Sequence, residues 1–422
     1  MGYMLISVVV VLVVLATTHT WNPWPQWWAW FNTSGPIADG LSRWQSTIGG
    51  SPQSVTIAGD SVIVEYRTSI EAYGLTAGVK LWDSDADWAG VAGVGNDAVV
   101  VTGRLLTKGY QVLDPRSGIV RREDKTATAV WTYRTGILDL HCGKGSDCEL
   151  TAWDLRGNAR WRVNTGGIGF VLDAANPDLP DTNPMTANGI DDDVAGPRQM
   201  PALIGLPDDG KIRVIDTASG KLVQTAEPSA SQRVSVAGGR VLTVTATAAD
   251  GTCYFGVVAT DPPDRGTVWT RDGLNLRTAS NGSGCKQDRD PAGGEDVVLG
   301  VDPVGRQELI AAHDGRVLWH GAKGEEVQAV NDSYAVIRKG SSLRCLSLAR
   351  GSVTWNRESN GSAAITPDAV VIVTTKPSRV AALSPSSGRL LADVRTNAKI
   401  FATGPGGMIA VDGRDMAYLP FA

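Results

Sequence analysis

The chain repeats itself. A short apolar strand, a turn that ends in glycine and then often a tryptophan recur eight times along 422 residues. Clear copies run from Glu71 to Trp82 (EAYGLTAGVKLW), Leu150 to Trp161 (LTAWDLRGNARW), Glu308 to Trp319 (ELIAAHDGRVLW) and Leu343 to Trp355 (LRCLSLARGSVTW). Weaker copies turn at Gly118, Gly220, Gly266 and Gly388, and successive turn glycines lie 40, 39, 63, 46, 49, 36 and 37 residues apart. One small sheet cannot bury both of its faces, so a period near 40 built from short strands calls for neighbours stacked around an axis. The fold class is therefore all-β, a β-propeller.

Each unit reads as four strands. In the first, SVTIAG, SVIVEY, IEAYGL and VKLWDS follow one another from Ser54 to Ser84, rich in β-branched and aromatic residues and broken by Gly, Asp and Asn. The step Gly-x-x-x-Trp recurs at Gly78/Trp82, Gly157/Trp161, Gly315/Trp319 and Gly351/Trp355. These tryptophans are read as structural, each sealing the gap between neighbouring blades with a large apolar ring. The final stretch from Ala398 supplies three strands, and Ser42–Gly50 (SRWQSTIGG) reads as a lone outer strand. Pairing the two termini removes two open sheet edges and closes the ring. Eight units plus this composite make nine, beyond the usual four to eight blades. The expectation is eight four-stranded blades, with one irregular unit near Thr107–Asp124 or around the insertion; nine is the alternative.

The N-terminus differs in kind. Tyr3–Ala16 is apolar and uncharged; as a helix it covers roughly 21 Å of a hydrocarbon core of about 30 Å. Extending it to Trp21 makes it long enough to span. Trp21, Trp24, Trp27, Trp28 and Trp30 follow, suited to a membrane–water interface. Residues 1–21 are read as a transmembrane anchor or signal-anchor, 22–41 as a Trp/Pro-rich juxtamembrane linker and 42–422 as the propeller. A cleaved signal peptide is the alternative, although an A-x-A-like site and a basic leading region are missing. Either reading delivers the ring across a membrane; the anchor reading makes it a single-pass protein of the cell membrane with the propeller on the extracytoplasmic side.

The cysteines agree with an oxidising compartment. Cys142 and Cys148 flank a hairpin tip and are expected to form a disulfide; Cys253 and Cys285 are a weaker second pair, and Cys345 is left as a buried thiol. Zinc at His141, Cys142 and Cys148 is set aside for want of a fourth ligand. An insertion at about 174–200, rich in Pro, Asn and Asp, is the expected binding loop, with Asn188, Asp191, Asp192 and Asp193 as its candidate contacts and removal expected to leave folding intact. The three aspartates are also weak calcium candidates, but consecutive aspartates cannot all face one ion, and a solvated acidic loop is the reading taken. His19, His141, His313 and His320 have no nucleophile or carboxylate at a diagnostic spacing and are read as surface or turn residues. Net charge is −5 with no long basic run, which argues against a nucleic-acid partner.

The repeat resembles the PQQ-type propeller repeat, most closely at Tyr110–Gly118 (YQVLDPRSG) and Ile212–Val223 (IRVIDTASGKLV). The chain looks like the binding-only, PQQ-binding-like branch that includes BamB-type assembly scaffolds, and with its Trp-flanked anchor it is similar to membrane-anchored propellers of actinobacteria. The resemblance covers roughly residues 42–420. It implies a ring that binds rather than catalyses, without cofactor, metal or catalytic residues. The departures are informative. Adjacent cysteines and a Glu/Asn/Asp metal set, which quinoprotein dehydrogenases of this type carry, are missing, as is the lipidated cysteine of BamB-type lipoproteins. The expected function is a non-enzymatic, membrane-tethered scaffold, monomeric as a ring, that binds an unidentified envelope protein. A PQQ-dependent dehydrogenase or other propeller enzyme, with a site assembled from one residue per blade, and a glycan-binding module are the alternatives.

Overall fold

A computed structural model describes residues 37–38, 41–143, 147–166, 189–191, 194–208, 210–229, 231–262, 264, 266–276 and 296–422. The expected anchor at 1–21 and most of the linker lie outside these residues. Among the described residues no helix is long and apolar enough to cross a membrane.

The chain forms nine sheets in succession, so the ring has nine blades rather than eight. Blades 1 to 8 occupy residues 54–84, 88–124, 129–166, 203–226, 232–272, 297–320, 325–358 and 362–394; blade 9 joins 399–420 to 44–47. The repeat count was sound and the irregular unit was not one blade too many: 88–124 is a full four-stranded blade. Blade 9 closes as the termini suggest, with Trp44–Thr47 antiparallel to Asp415–Pro420 and Trp44 opposite Tyr418. The first strands of neighbouring blades touch one another, which puts them around the axis and the fourth strands at the rim.

The turn glycine has a defined job. In blades 1 to 4 and 6 to 8 it has positive φ, from 62° at Gly351 to 85° at Gly157, a conformation that costs little only without a Cβ. Each such turn follows a register shift in the third strand, as between Ala72 and Tyr73 or between Val112 and Leu113. Bulge and glycine together swing the fourth strand outward.

Among the described residues, two blades pair only three strands. In blade 6, three strands pair and the inner position is taken by Asn275, which bridges to Val301 between the buried Leu274 and Leu276. Blade 4 also pairs three strands. The segment leading into it instead crosses the ring: Ile190 forms a parallel bridge with Ile400 of blade 9, with Asp191 N–H donating to Ile400 O and Ile400 N–H to Gly189 O. Further on, Arg134 in the first hairpin of blade 3 donates to the carbonyls of Pro197 and Arg198. Because Lys399–Gly404 is the innermost strand of blade 9, this added segment runs on the axial side of the ring. Ile190 and Val194 are buried there among Ala364, Val371, Ile400 and Met408. Ile190, Asp191 and Val194 are thus buried against blade 9, so a deletion of all of 174–200 would remove packed residues along with the loop.

Candidate functional site

The seams between blades follow one rule, and one seam breaks it. Trp82 on the outer strand of blade 1 donates its indole N–H to Pro115 O of blade 2 at 2.9 Å, and a Cβ on Gly118 would sit 2.8 Å from its ring. Trp44 does the same to Leu75 O and Gly78, Trp161 to Thr217 O and Gly220, and Trp269 to Ala312 O and Gly315. In each case the acceptor lies three residues before the glycine. The glycine is required twice, for positive φ and for the close approach of the ring. Trp355 lies on Gly388, but the hydroxyl of Thr354 makes the bond to Pro385 O in its place. Trp319 does not reach the next glycine and packs instead beside Leu346 and Leu348. Trp44 and Trp269 are the two clasps not among the four Gly-x-x-x-Trp steps read from the sequence; Trp269 follows its glycine, Gly266, by three residues rather than four.

At the seam between blades 2 and 3 the outer strand Val120–Asp124 carries Arg122 four residues after Gly118, where Trp82 stands after Gly78. Arg122 keeps the same position: its aliphatic stem lies over Gly157, and its guanidinium stacks 3.4 Å from the centre of the Trp153 ring. A guanidinium cannot be buried against a neighbour without a counter-charge, and blade 3 supplies one. Asp139 lies at the strand position that Val64 holds in blade 1. It is fully buried, and its Oδ2 accepts from Arg122 Nη2 at 2.9 Å and from the Tyr110 hydroxyl at 2.6 Å. Burial, and then the bond to Asp139, push the Tyr110 hydroxyl well above its ordinary pKa, so it stays a proton donor.

Two further groups converge on this carboxylate. His141 Nε2 lies 3.5 Å from Asp139 Oδ2 and 3.5 Å from Asp124 Oδ2. Asp124 Oδ1 accepts the amides of Thr126 and Ala127 at 2.8 and 2.7 Å. Burial alone would raise the Asp124 carboxyl, but those two amides and the nearby imidazole outweigh it and hold the pKa below its usual value. The Cys142–Cys148 disulfide closes the same hairpin one residue beyond His141. The cluster borders a polar cavity of about 430 Å³ lined by Arg104, Lys108, Tyr110, Asp124 and Lys125. Asp139 Oδ1 and Arg122 Nη1 are buried without a hydrogen-bond partner. The signal that marks this seam in the sequence is Arg122 itself, at a tryptophan position inside the unit already suspected of irregularity.

A second cluster, Asp302, Glu308 and His320 on blade 6, is built differently. His320 Nδ1 is 2.7 Å from Glu308 Oε1, Arg271 pairs with Glu308 Oε2 at 3.0 Å, and Arg306 Nη1 lies 3.4 Å from His320 Nε2. Its charges are satisfied among themselves.

The other residues singled out from the sequence are dispersed. Asp191 is not in an exposed acidic loop: it is buried in the crossing segment and paired with Lys399 at 2.6 Å. Asn188, Asp192 and Asp193 lie outside the described residues. Cys253 is disulfide-bonded; Cys285, its expected partner, lies outside them too. Cys345 is a free, buried thiol. His313 is half exposed beside Asp314.

Residues 254–408 match the family model of the outer membrane protein assembly factor BamB. No curated protein matches the chain. Among solved structures, BamB from Moraxella catarrhalis is 17% identical with a TM-score of 0.35, over 83% of this chain and 99% of that one. Quinohemoprotein alcohol dehydrogenase from Comamonas testosteroni is 11% identical with a TM-score of 0.39, over 90% of this chain and 76% of that one. A eukaryotic initiation factor is 10% identical with a TM-score of 0.46, over 92% and 94%. Likenesses at this level say nothing about what the ring binds. The family match falls on blades 5 to 9, and the same turn and bulge run through the earlier blades, so the chain is a β-propeller whose residues 254–408 resemble the BamB-type repeat.

Proposed function

We propose that the protein is a non-enzymatic scaffold that binds a protein of the cell envelope, tethered by its N-terminus with the ring on the extracytoplasmic side. The observation that carries this reading is the crossing segment. An enzyme site built from one residue per blade needs the axis, and here Gly189–Asp191 is hydrogen-bonded to the axial edge of blade 9, with Ile190 and Val194 packed into its core. Arg134 of blade 3 even acts electrostatically on Asp368 of blade 8, whose carboxyl is raised by burial and pulled back by that charge. Blades 3 and 9 are therefore both hydrogen-bonded to the threaded chain, and in this reading recognition falls to the outer loops and seams. The Cys142–Cys148 disulfide supports an oxidising compartment.

The test is crosslinking and pull-down of the intact, membrane-tethered protein. The control replaces residues 174–187 with a Gly/Ser stretch of equal length, which spares the buried Ile190, Asp191 and Val194. A specific envelope protein recovered with the first and lost with the second supports the scaffold and locates its surface on the insertion. Recovery with neither, together with quinone absorbance after incubation with PQQ, would instead support the dehydrogenase.

A further inference from the structure

We propose that the groove where blades 8 and 9 meet is the docking site of this chain's own Trp-rich linker, the segment from Trp21 to Phe31. The groove is a cavity of about 280 Å³ lined by Leu41, Leu390, Leu391, Val394, Leu419 and Phe421. One charged side chain lines it, Asp393, and that is tied to Arg379. The surface it offers a ligand is therefore apolar. Leu41 is 52% exposed and Leu390 41%, so the mouth of the groove is open to solvent rather than sealed by a neighbouring blade. A cavity of about 150 Å³ holds a benzene ring, and this one has room for an indole.

Connectivity names the occupant. The chain before Ile37 lies outside the described residues, and it reaches the ring at this groove. Ile37 and Ala38 are buried in the cluster that contains Leu391, Val394 and Leu419, with Phe421 packed against it, and Leu41 belongs to the lining itself. Upstream, Trp21–Phe31 supplies five tryptophans and a phenylalanine, and no charge occurs from Trp21 to Pro36. Trp30 stands seven residues before Ile37, so it can lie no more than about 25 Å from it. The turn-forming pair Gly35-Pro36 falls between them, where a return over Leu41 and Leu390 requires a reversal. Indole rings and an apolar groove held this close gain by mutual burial. Pro23 and Pro25 lower the conformational entropy that docking costs. The docking itself does not need a membrane. Its consequence does, and rests on the tethered reading above: a docked linker fixes how the ring is oriented over the bilayer instead of letting it swing on a free one.

The competing place for these tryptophans is the bilayer interface, and a photo-crosslink separates the two. The full chain carries p-benzoylphenylalanine in place of Trp28, in nanodiscs of phosphatidylcholine and phosphatidylglycerol, and adducts are mapped by mass spectrometry after irradiation. They should fall within 390–394 and 419–422 of the same chain. Leu41→Glu combined with Leu390→Glu should abolish them; Leu105→Glu combined with Leu106→Glu, at an exposed hairpin of blade 2, should leave them unchanged. If the first double variant does not fold, the probe placed at Leu390 reads the same contact from the ring and should label residues 22–34. Adducts with lipid alone overturn the proposal, as do adducts between two chains or labelling that survives in the folded Leu41→Glu, Leu390→Glu variant. Alkaline extraction of the membranes reads the tether independently: a chain released from the membrane that still crosslinks would sink the tether and keep the docking.

Discussion

Two neighbouring seams close the ring with opposite chemistry. Between blades 1 and 2 an indole lies flat on the Gly118 turn and spends its one N–H on Pro115 O. Between blades 2 and 3 a guanidinium takes the indole's place over Gly157, and the facing blade 3 presents Asp139 where the facing blade of the first seam, blade 2, has Thr102 and blade 1 has Val64. Both seams keep the positive-φ glycine and the bulge before it, so the backbone geometry of the repeat is independent of the side chain laid across it. The difference lies in completeness. The tryptophan seam satisfies its polar atoms, whereas the arginine seam leaves Asp139 Oδ1 and Arg122 Nη1 without partners. A repeat protein that departs from its own rule and leaves buried atoms open has given up stability there.

The strongest way to break this comparison is to remove the residue that spans each seam. Arg122→Ala strands a fully buried Asp139 and should cost about 3–5 kcal/mol. Trp161→Ala, at the buried clasp of the next seam, should cost about 3–5 kcal/mol through lost apolar burial and a cavity. Urea unfolding measures both. A loss below ~1 kcal/mol for Arg122→Ala would mean that the polar network does not hold the seam. A smaller change sharpens the comparison: combining Arg122→Trp with Asp139→Val rebuilds the arginine seam on the tryptophan plan. Replacing a buried ion pair by apolar groups is neutral or stabilising by about 1–4 kcal/mol. A double variant less stable than Arg122→Ala would show that the two seams differ in backbone geometry after all.

The comparison also explains what was legible in the sequence. The ring, the closing strand at Trp44 and the clasps at Trp82 and Trp161 follow from local signals, a glycine and a tryptophan at fixed spacing beside apolar alternation. Nine blades against eight turned on whether 88–124 is a blade, and its weak look came from Arg122 replacing the tryptophan. Asp139, Tyr110, Asp124 and His141 carry no such signal. They come from three strands of two blades, and their meaning arises only when the seam brings them together. The crossing segment was opaque for a similar reason. Ile190 and Val194 read as sparse apolar residues in a Pro/Asp-rich loop, and only the axial edge of Lys399–Gly404, about 200 residues away by chain, makes them core.

Acid offers a milder probe of the seams. At the ring closure between blades 9 and 1, Glu71 accepts from Tyr66, Tyr73, Lys80 and the Gly49 amide. Burial would raise its carboxyl, but the hydrogen bonds from Tyr66 and then Lys80 prevail and lower it from 4.5 to about 2. A folded-state pKa below the unfolded one stabilises the protein above the unfolded value, and that stability is lost as pH falls through the folded value. The contribution of Glu71 should therefore be complete above pH 4.5 and disappear by about pH 2. Glu71→Gln should be less stable at pH 7 and show a flatter decline across that window. An unchanged acid slope would mean that Glu71 does not clamp the closure.

The smallest expected effect asks whether seams open separately. Cys345 is buried in the cluster shared by blades 7 and 8, beside Val336, Val370 and Trp355. Burial pushes its thiol up to about 11, so at pH 8 it is both shielded and protonated, and a maleimide or disulfide reagent should reach it only when that seam opens. In a stack of repeats each unit is stabilised mainly by its neighbours, and damage stays local until the whole ring unfolds. Arg122→Ala removes the tie between blades 2 and 3, yet under native conditions it should leave the labelling rate of Cys345 close to wild type. Closure works against that locality: because Trp44–Thr47 pairs with Asp415–Pro420, a break anywhere can be transmitted both ways around the ring. If Arg122→Ala speeds Cys345 labelling in proportion to its loss of global stability, the ring opens as one unit. The two seams would then differ in chemistry but not in what they hold together.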